Sequence, residues 1–228
     1  MSIYVTGDTH GQIDWSKLNT ENFPAQKTMT KDDLVIIAGD FGGVWDGAGS
    51  DRYTQEWYNG KNHTTAFVDG NHENHWLLNS YPVSKWNGGK VHRISDKLIH
   101  LMRGEVYTIQ GKTFFVMGGA DSVDKAYRKY GLSWWPEELP SDKEYKNALK
   151  NLKKHNFKVD YVITHDCSTK ILETLYADTW PVQLNHFLDD LEYEHHLQFE
   201  HWYFGHHHID KEIDEKHTAL YQKVIKIV

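Results

Sequence analysis

Basic charge is in short supply in this chain. Among 228 residues, 25 Lys or Arg stand against 32 Asp or Glu, a formal charge of −7. That balance argues against a protein that grips long nucleic acid by bulk electrostatics, and leaves a small phosphorylated ligand open. There is one cysteine, Cys167, so no disulfide framework can form within the chain. No apolar stretch approaches the ~20 residues that a membrane-spanning helix needs. The opening "MSIYVTGDTHG" enters a strand at once, without a charged-then-apolar leader. The expectation is a soluble, cytoplasmic protein with no membrane contact. No internal repeat, low-complexity block or Pro/Gly linker marks a boundary, so residues 1–228 read as a single domain. Nothing in the pattern sets an oligomeric state. What is plentiful is aromatic residues, with nine Trp and thirteen Tyr, and histidine, with sixteen.

Short apolar runs alternate with helix-like stretches. The runs are "IYVTG" (3–7), "LVIIAG" (34–39), "TAFVDG" (65–70), "YVIT" (161–164) and "HWYFG" (201–205). They are rich in Val, Ile, Tyr and Phe and too short for helices, and their continuous apolarity suits strands buried on both faces. Helices are expected near 50–59, 73–80, 141–156 and 181–197. The third opens on Ser141 with Glu144 three residues on, a capping-box spacing. Residues 97–118 read as hairpin-linked strands turning at "QGK", and "TALYQKVIKIV" as a terminal strand. Alternation at first and hairpins in the middle imply an α/β protein with mixed sheets, one packed on the other and flanked by helices.

Each of the five runs ends in the same kind of cargo. The first delivers Asp8 and His10, the second Asp40, the third Asn71 and His72, the fourth His165, and the fifth His206, His207 and His208. Ligands of open α/β folds collect beyond the carboxyl ends of strands, so strands running together would bring these groups to one rim. Along extended backbone, residues two apart share a side. Asp8 pairs with His10 and His206 with His208, while His207 turns away to the surface or to a supporting position. The set Asp8, His10, Asp40, Asn71, His165, His206 and His208 offers oxygen and imidazole and no thiolate. It suits divalent Mn, Fe, Zn, Co or Ni and disfavours a cysteine-type structural zinc site. Seven groups exceed one tetrahedral ion, but suffice for two if a carboxylate bridges. Two ions about 3.5–4 Å apart are a known arrangement for hydrolysing phosphate esters.

In this order, Asp8-Thr9-His10, Gly39-Asp40, Gly70-Asn71-His72-Glu73, His165 and Gly205-His206-His207-His208 resemble the motifs of the calcineurin-like metallophosphoesterases. The resemblance runs from residue 7 to 208. It implies a four-layer α/β/β/α sandwich with two mixed β-sheets flanked by helices, and a dinuclear site, most readily of Mn2+. It implies Asp8, His10, Asp40 and His208 on one ion, and Asp40, Asn71, His165 and His206 on the other, with Asp40 bridging. A metal-bridging hydroxide would attack phosphorus in line. His72 would stabilise the developing charge or protonate the leaving oxygen. The expected function is hydrolysis of phosphate mono- or diesters of small substrates. The alternatives are a nuclease of the same superfamily and a non-catalytic metal-binding scaffold. Completeness of the seven positions and His72 favours an enzyme, and the acidic balance disfavours the nuclease.

The second motif continues Phe41-Gly42-Gly43-Val44-Trp45, without the further Asp and Arg of the family's protein phosphatases, so that activity is not expected. Asp46 is a candidate for the missing carboxylate beside His72. "HENH" (72–75) lacks the H-E-x-x-H spacing of a zinc protease, and Glu73 reads as a helix N-terminal residue first and as a hydrogen-bond support of the site second. Cys167 reads as a buried thiol ahead of a ligand role, and Lys150–His155 as a solvated helix face or helix end. The stretch "GGADSVDKAYRKYGLSWWPEELP" (118–140) is open between an aromatic-anchored connection and a wall over the metals. Arg128 within it is the first candidate for a phosphate clamp, ahead of Arg52, Arg93 and Arg103.

Overall fold

The structure is a computed structural model that describes residues 1–228. Thirteen strands form two sheets. The first is built from β1 (Ile3–Thr6), β2 (Leu34–Ala38), β3 (Thr64–Val68), β4 (Val83–Trp86), β5 (Gly89–Arg93), β6 (Leu98–Leu101) and the late strand β13 (Val224–Lys226), in the order β13-β1-β2-β3-β6-β5-β4. The second is built from β7 (Val106–Ile109), β8 (Lys112–Met117), β9 (Tyr161–Thr164), β10 (His201–Phe204), β11 (Lys211–Glu212) and β12 (His217–Ala219), in the order β11-β12-β10-β9-β8-β7. In each sheet four central strands are parallel: β1, β2, β3 and β6 in one, β12, β10, β9 and β8 in the other. The hairpins and terminal strands at the edges are antiparallel.

Alternation of side chains along the strands separates three apolar layers. Ile3, Val5, Ile36, Ala66 and Val68 of the first sheet pack between the sheets against Phe114, Val116, Ile163 and Tyr203 of the second. The opposite face of the first sheet, with Val35, Ile37 and Phe67, packs on Leu18, Phe41, Tyr58 and Leu78. Tyr58 lies in helix α1 (Gly49–Asn59) and Leu78 in the single turn α2 (His75–Leu78). The far face of the second sheet, with Phe115, Val162 and Trp202, packs on helices α3 (Asp142–Lys154), α4 (Thr169–Leu175) and α5 (Gln183–Tyr193). Each fully buried aliphatic side chain contributes about 1.5–3 kcal/mol. The result is helices, sheet, sheet, helices, as the motifs implied. No helix is long and apolar enough to cross a membrane.

Several boundaries differ from the sequence reading. The helix expected at 73–80 is one turn, because Asn74 rather than Glu73 caps it, accepting from Leu77 N at 3.0 Å. The 97–118 stretch divides: β6 joins the first sheet, and only β7–β8 form the hairpin at Gln110-Gly111 in the second. The terminal stretch also divides, β12 entering the second sheet and β13 crossing to the first. At that crossing the buried Lys17 ammonium donates to the carbonyls of Gly7 (3.0 Å), Asp8 (2.5 Å) and Tyr221. Burial draws the ammonium down to about 8.

Candidate metal centre

The carboxyl ends of β1, β2, β3, β9 and β10 converge, and with them the seven residues singled out above. Asp40 lies at the middle. Its Oδ2 is 3.3 Å from His10 Nε2 and its Oδ1 is 3.4 Å from His165 Nε2. Asp8 Oδ2 is 3.1 Å from His208 Nε2 and 3.9 Å from His10 Nε2. Asn71 Oδ1 is 3.2 Å from His165 Nε2. The donor atoms of Asp8, His10 and His208 lie within 4.8 Å of one another, as do those of Asp40, His165 and His206, and those of His10, Asp40 and His72. Asp8 Oδ2 is buried with no hydrogen bond assigned to it, His208 Nε2 being its near neighbour at 3.1 Å. A buried, unsatisfied anionic oxygen among imidazoles is what a cation would complete, so the residues fit divalent metal.

Backbone shape, not strand alternation, brings these groups together. The spacing rule for extended chain does not hold beyond the strand ends. His10, Asp40, His206 and His208 have φ of +43°, +46°, +64° and +51°. His206 and His208 accordingly serve different groups, and His207 turns away from both. Such left-handed residues cost of order 1–3 kcal/mol each and persist where the surroundings enforce them. Two glycines make the crowding possible. A Cβ on Gly39 would lie 1.9 Å from His165 Nδ1, and one on Gly70 would lie 2.1 Å from Asp40 Oδ1.

Electrostatics bind the cluster into one unit. Burial alone would raise the Asp40 carboxyl, but the imidazoles of His165 and His10 hold it well below the usual range. In turn, against the opposing effect of burial, Asp40 and Asp8 push His165 up to about 10 and His10 up to about 9. His206 has no such close carboxylate contact, and burial presses it down to about 4. Asp14 accepts from His10 Nδ1 at 2.7 Å and from the Tyr221 hydroxyl at 2.9 Å, which directs His10 Nε2 inward.

Glu73 is a correction to the sequence reading. It is fully buried and precedes the helix. Its two oxygens accept from Gly70 N at 2.6 Å and Gly42 N at 3.1 Å, strapping two ligand-bearing loops together. Burial and the charge of Asp40 push its carboxyl up to about 8. Asp46 is not the partner of His72, because it accepts from Ala48 N and the Ser50 hydroxyl at an exposed turn. Arg103 is no phosphate clamp: it is buried, with Nε 2.8 Å and Nη2 2.5 Å from Asp69 Oδ2. The 118–140 stretch reaches the site. Arg128 Nη2 donates to His72 Nε2 at 2.9 Å, while Arg128 Nε pairs with Asp124 at 2.6 Å. Trp135, buried, packs edge-on against Trp45, which lies beside the His72 ring.

Sequence reasoning missed the support behind Asn71. Its Nδ2 donates to the Ser122 hydroxyl at 3.2 Å, and that hydroxyl donates to Glu138 Oε2 at 2.5 Å. Glu138 Oε1 accepts from Ser122 N and Trp134 Nε1. The chain of bonds turns the Asn71 oxygen toward the cluster. Only the position of Glu138 near two tryptophans hinted at it. The cluster opens on a pocket of about 740 Å³ whose wall includes Asp121, Arg128, Tyr176, Trp180, His206 and His207.

The fold and this rim define a metal-dependent phosphoesterase architecture. The profile of the calcineurin-like phosphoesterase family matches residues 1–210, and the chain belongs to that family. Seven solved chains match in structure. One is the phosphopantetheinyl hydrolase PptH from Mycobacterium tuberculosis, at 14% identity and a TM-score of 0.44, over 100% of this chain and 95% of that one. A search of curated protein sequences returns no match.

Proposed function

We propose that the protein is a dinuclear metal-dependent phosphoesterase hydrolysing mono- or diesters of small substrates. The observation that carries this reading is the placement of Asp40, whose two oxygens face two different imidazole groups. A carboxylate so placed serves two cations at once. Asp8, His10, Asp40 and His208 would hold one ion, and Asp40, Asn71, His165 and His206 the other. The oxygen and nitrogen donors suit Mn2+ first and admit Fe, Zn, Co or Ni. Bound there, the two ions supply positive charge for the phosphoryl oxygens and an acidified water near neutral pH.

The chain's own groups complete the reaction. Arg128 presents a planar guanidinium beside the cluster, a shape that matches phosphate oxygens. When it turns from His72 to a substrate, His72 Nε2 is released to exchange a proton with the leaving oxygen. Glu138 and Ser122 hold the Asn71 amide in one orientation. The acidic balance of the chain, −7, favours a small substrate over nucleic acid.

The test is a screen of metal-reconstituted protein against p-nitrophenyl phosphate, its bis-ester, cyclic nucleotides and plasmid or single-stranded DNA. Small esters should turn over with Mn2+ and DNA should not, and Asp40→Asn should lose both turnover and metal. No turnover of any ester with Mn, Fe, Zn, Co or Ni would overturn the reading, as would an active Asp40→Asn protein.

A further inference from the structure

Beside the candidate dinuclear centre lies a separate group of donors that it does not use. His207, the middle histidine of the run, packs its ring edge-on to His206 but directs its nitrogens to other partners. Its Nε2 lies 3.2 Å from Asp166 Oδ1 and 3.2 Å from Cys167 Sγ. These three atoms lie within 4.8 Å of one another.

Asp166 Oδ1 accepts from Cys167 N at 2.7 Å and lies within reach of a hydrogen on His207 Nε2, which leaves the sulfur without a strong partner. One divalent cation between the three atoms satisfies all of them. The 3.2 Å separations suit it: ligands at about 2.0–2.3 Å from a tetrahedral zinc ion stand a little over 3 Å apart.

The surroundings are also those of a built site. Asp166 Oδ2 accepts from Asn185 Nδ2 at 2.8 Å, which fixes the carboxylate with Oδ1 toward the other donors. His207 Nδ1 lies 3.2 Å from the Tyr176 hydroxyl, a partner for an Nδ1–H when Nε2 is a ligand. Such outer partners are the usual supports of metal-bound imidazole and carboxylate. Cys167, Asp166 and Asn185 are buried. Asp166, His207 and Tyr176 also line the large pocket, so the front is open.

We propose that Asp166, Cys167 and His207 form a third metal site, selective for a thiolate-accepting ion such as Zn2+. Three protein ligands leave the fourth position to a water or substrate oxygen on the pocket side. As the sulfur–metal bond forms, the Cys167 thiol gives its proton to solvent, and the His207 proton resides on Nδ1, toward Tyr176. The proposal does not depend on the phosphoesterase reading, since none of its ligands belongs to the dinuclear set.

The sulfur makes the site separately readable. The full chain is stripped of metal and titrated with Co2+ under reducing conditions. One equivalent should bring up a near-ultraviolet sulfur-to-cobalt charge-transfer band, which the oxygen and nitrogen ligands of the dinuclear set cannot produce. Cys167→Ser and His207→Gln should abolish the band, with folding checked by circular dichroism, while Asp40→Asn should retain it. Equilibrium dialysis with Zn2+ should find one equivalent fewer in Cys167→Ser than in wild type. If folded wild-type protein binds Co2+ without that band, the third site does not exist, and Asp166, Cys167 and His207 are a hydrogen-bonded brace. If the band appears but only one equivalent binds in all, the third site stands and the dinuclear reading falls.

Discussion

Replacing Asp69 with Asn removes one charge and almost no volume, and the structure gives the cost. Asp69 is buried at the end of β3. It receives two bonds from Arg103, at 2.8 and 2.5 Å, and one from His100 Nε2 at 3.0 Å. Arg103 keeps only the carbonyls of Glu137 and Glu138, and Glu144 at 3.6 Å. Asp69→Asn therefore leaves a buried guanidinium with only the more distant, partly exposed Glu144 as counter-charge, a change that costs about 3–5 kcal/mol. For a chain of this size each kcal/mol moves the melting point by about 2–4 °C, so the fall should be about 6–20 °C. The assay is thermal and urea unfolding of metal-stripped protein, which separates stability from metal binding. Because Gly70 and Asn71 follow directly, metal retention should weaken as well. Arg103→Met combined with Asp69→Leu should be less destabilised than the sum of the single changes. A loss below about 1 kcal/mol for Asp69→Asn would refute the argument that this charge pair anchors the loop.

Other expectations concern the rim and the core. Gly70→Ala should displace Asp40 and lower metal occupancy, since its methyl would sit 2.1 Å from Asp40 Oδ1; crystal coordinates with Asp40 unmoved and full occupancy would contradict this. His72→Ala should retain metal yet slow turnover about 10²–10⁴-fold, and an unchanged kcat would remove His72 from the reaction. Arg128→Ala should raise KM for phosphate esters, and unaltered kinetics would leave Arg128 as a loop brace. Stability should fall as pH drops from about 6.5 to about 4, because His63 is buried with neither ring nitrogen bonded, and burial, then Lys61 and Lys97, push its imidazole down to about 4. The unfolded chain takes up that proton first, so His63 accounts for about 3 kcal/mol of the loss. His63→Leu should flatten the slope in urea titrations across that window, and an unchanged slope would count against it.

The parts of this protein legible in its sequence were those written in local pattern. Apolar runs with polar ends gave β1, β2, β3, β9 and β10, because buried parallel strands carry continuous Val, Ile and Phe. Ser141 and Glu144 gave the start of α3, where the Ser141 backbone N–H donates to Glu144 Oε2 at 2.7 Å. The β4–β5 hairpin was missed although Asn87-Gly88, both at positive φ, stood as a turn signal between short polar strands. Helix α4 was missed as well, its cap Ser168 lying just beyond the His165 motif. What sequence could not supply was long-range pairing. The Asn71–Ser122–Glu138 chain and the meeting of Arg128 with His72 join segments about fifty residues apart. Glu73 was misjudged for the same reason: its neighbours in space are backbone amides, which leave no mark on the residue string.

The crossing of the last strand from one sheet to the other has a consequence for biogenesis. β1 pairs with β2 on one side and with β13 on the other, Tyr4 opposite Lys226, so its outer hydrogen-bonding edge waits for a strand more than two hundred residues on. A chain emerging from the ribosome carries Ile3 and Val5 on an unsealed strand until residues 224–226 have been made. Such an edge invites pairing with other copies, which makes the nascent protein more prone to aggregation than the finished one.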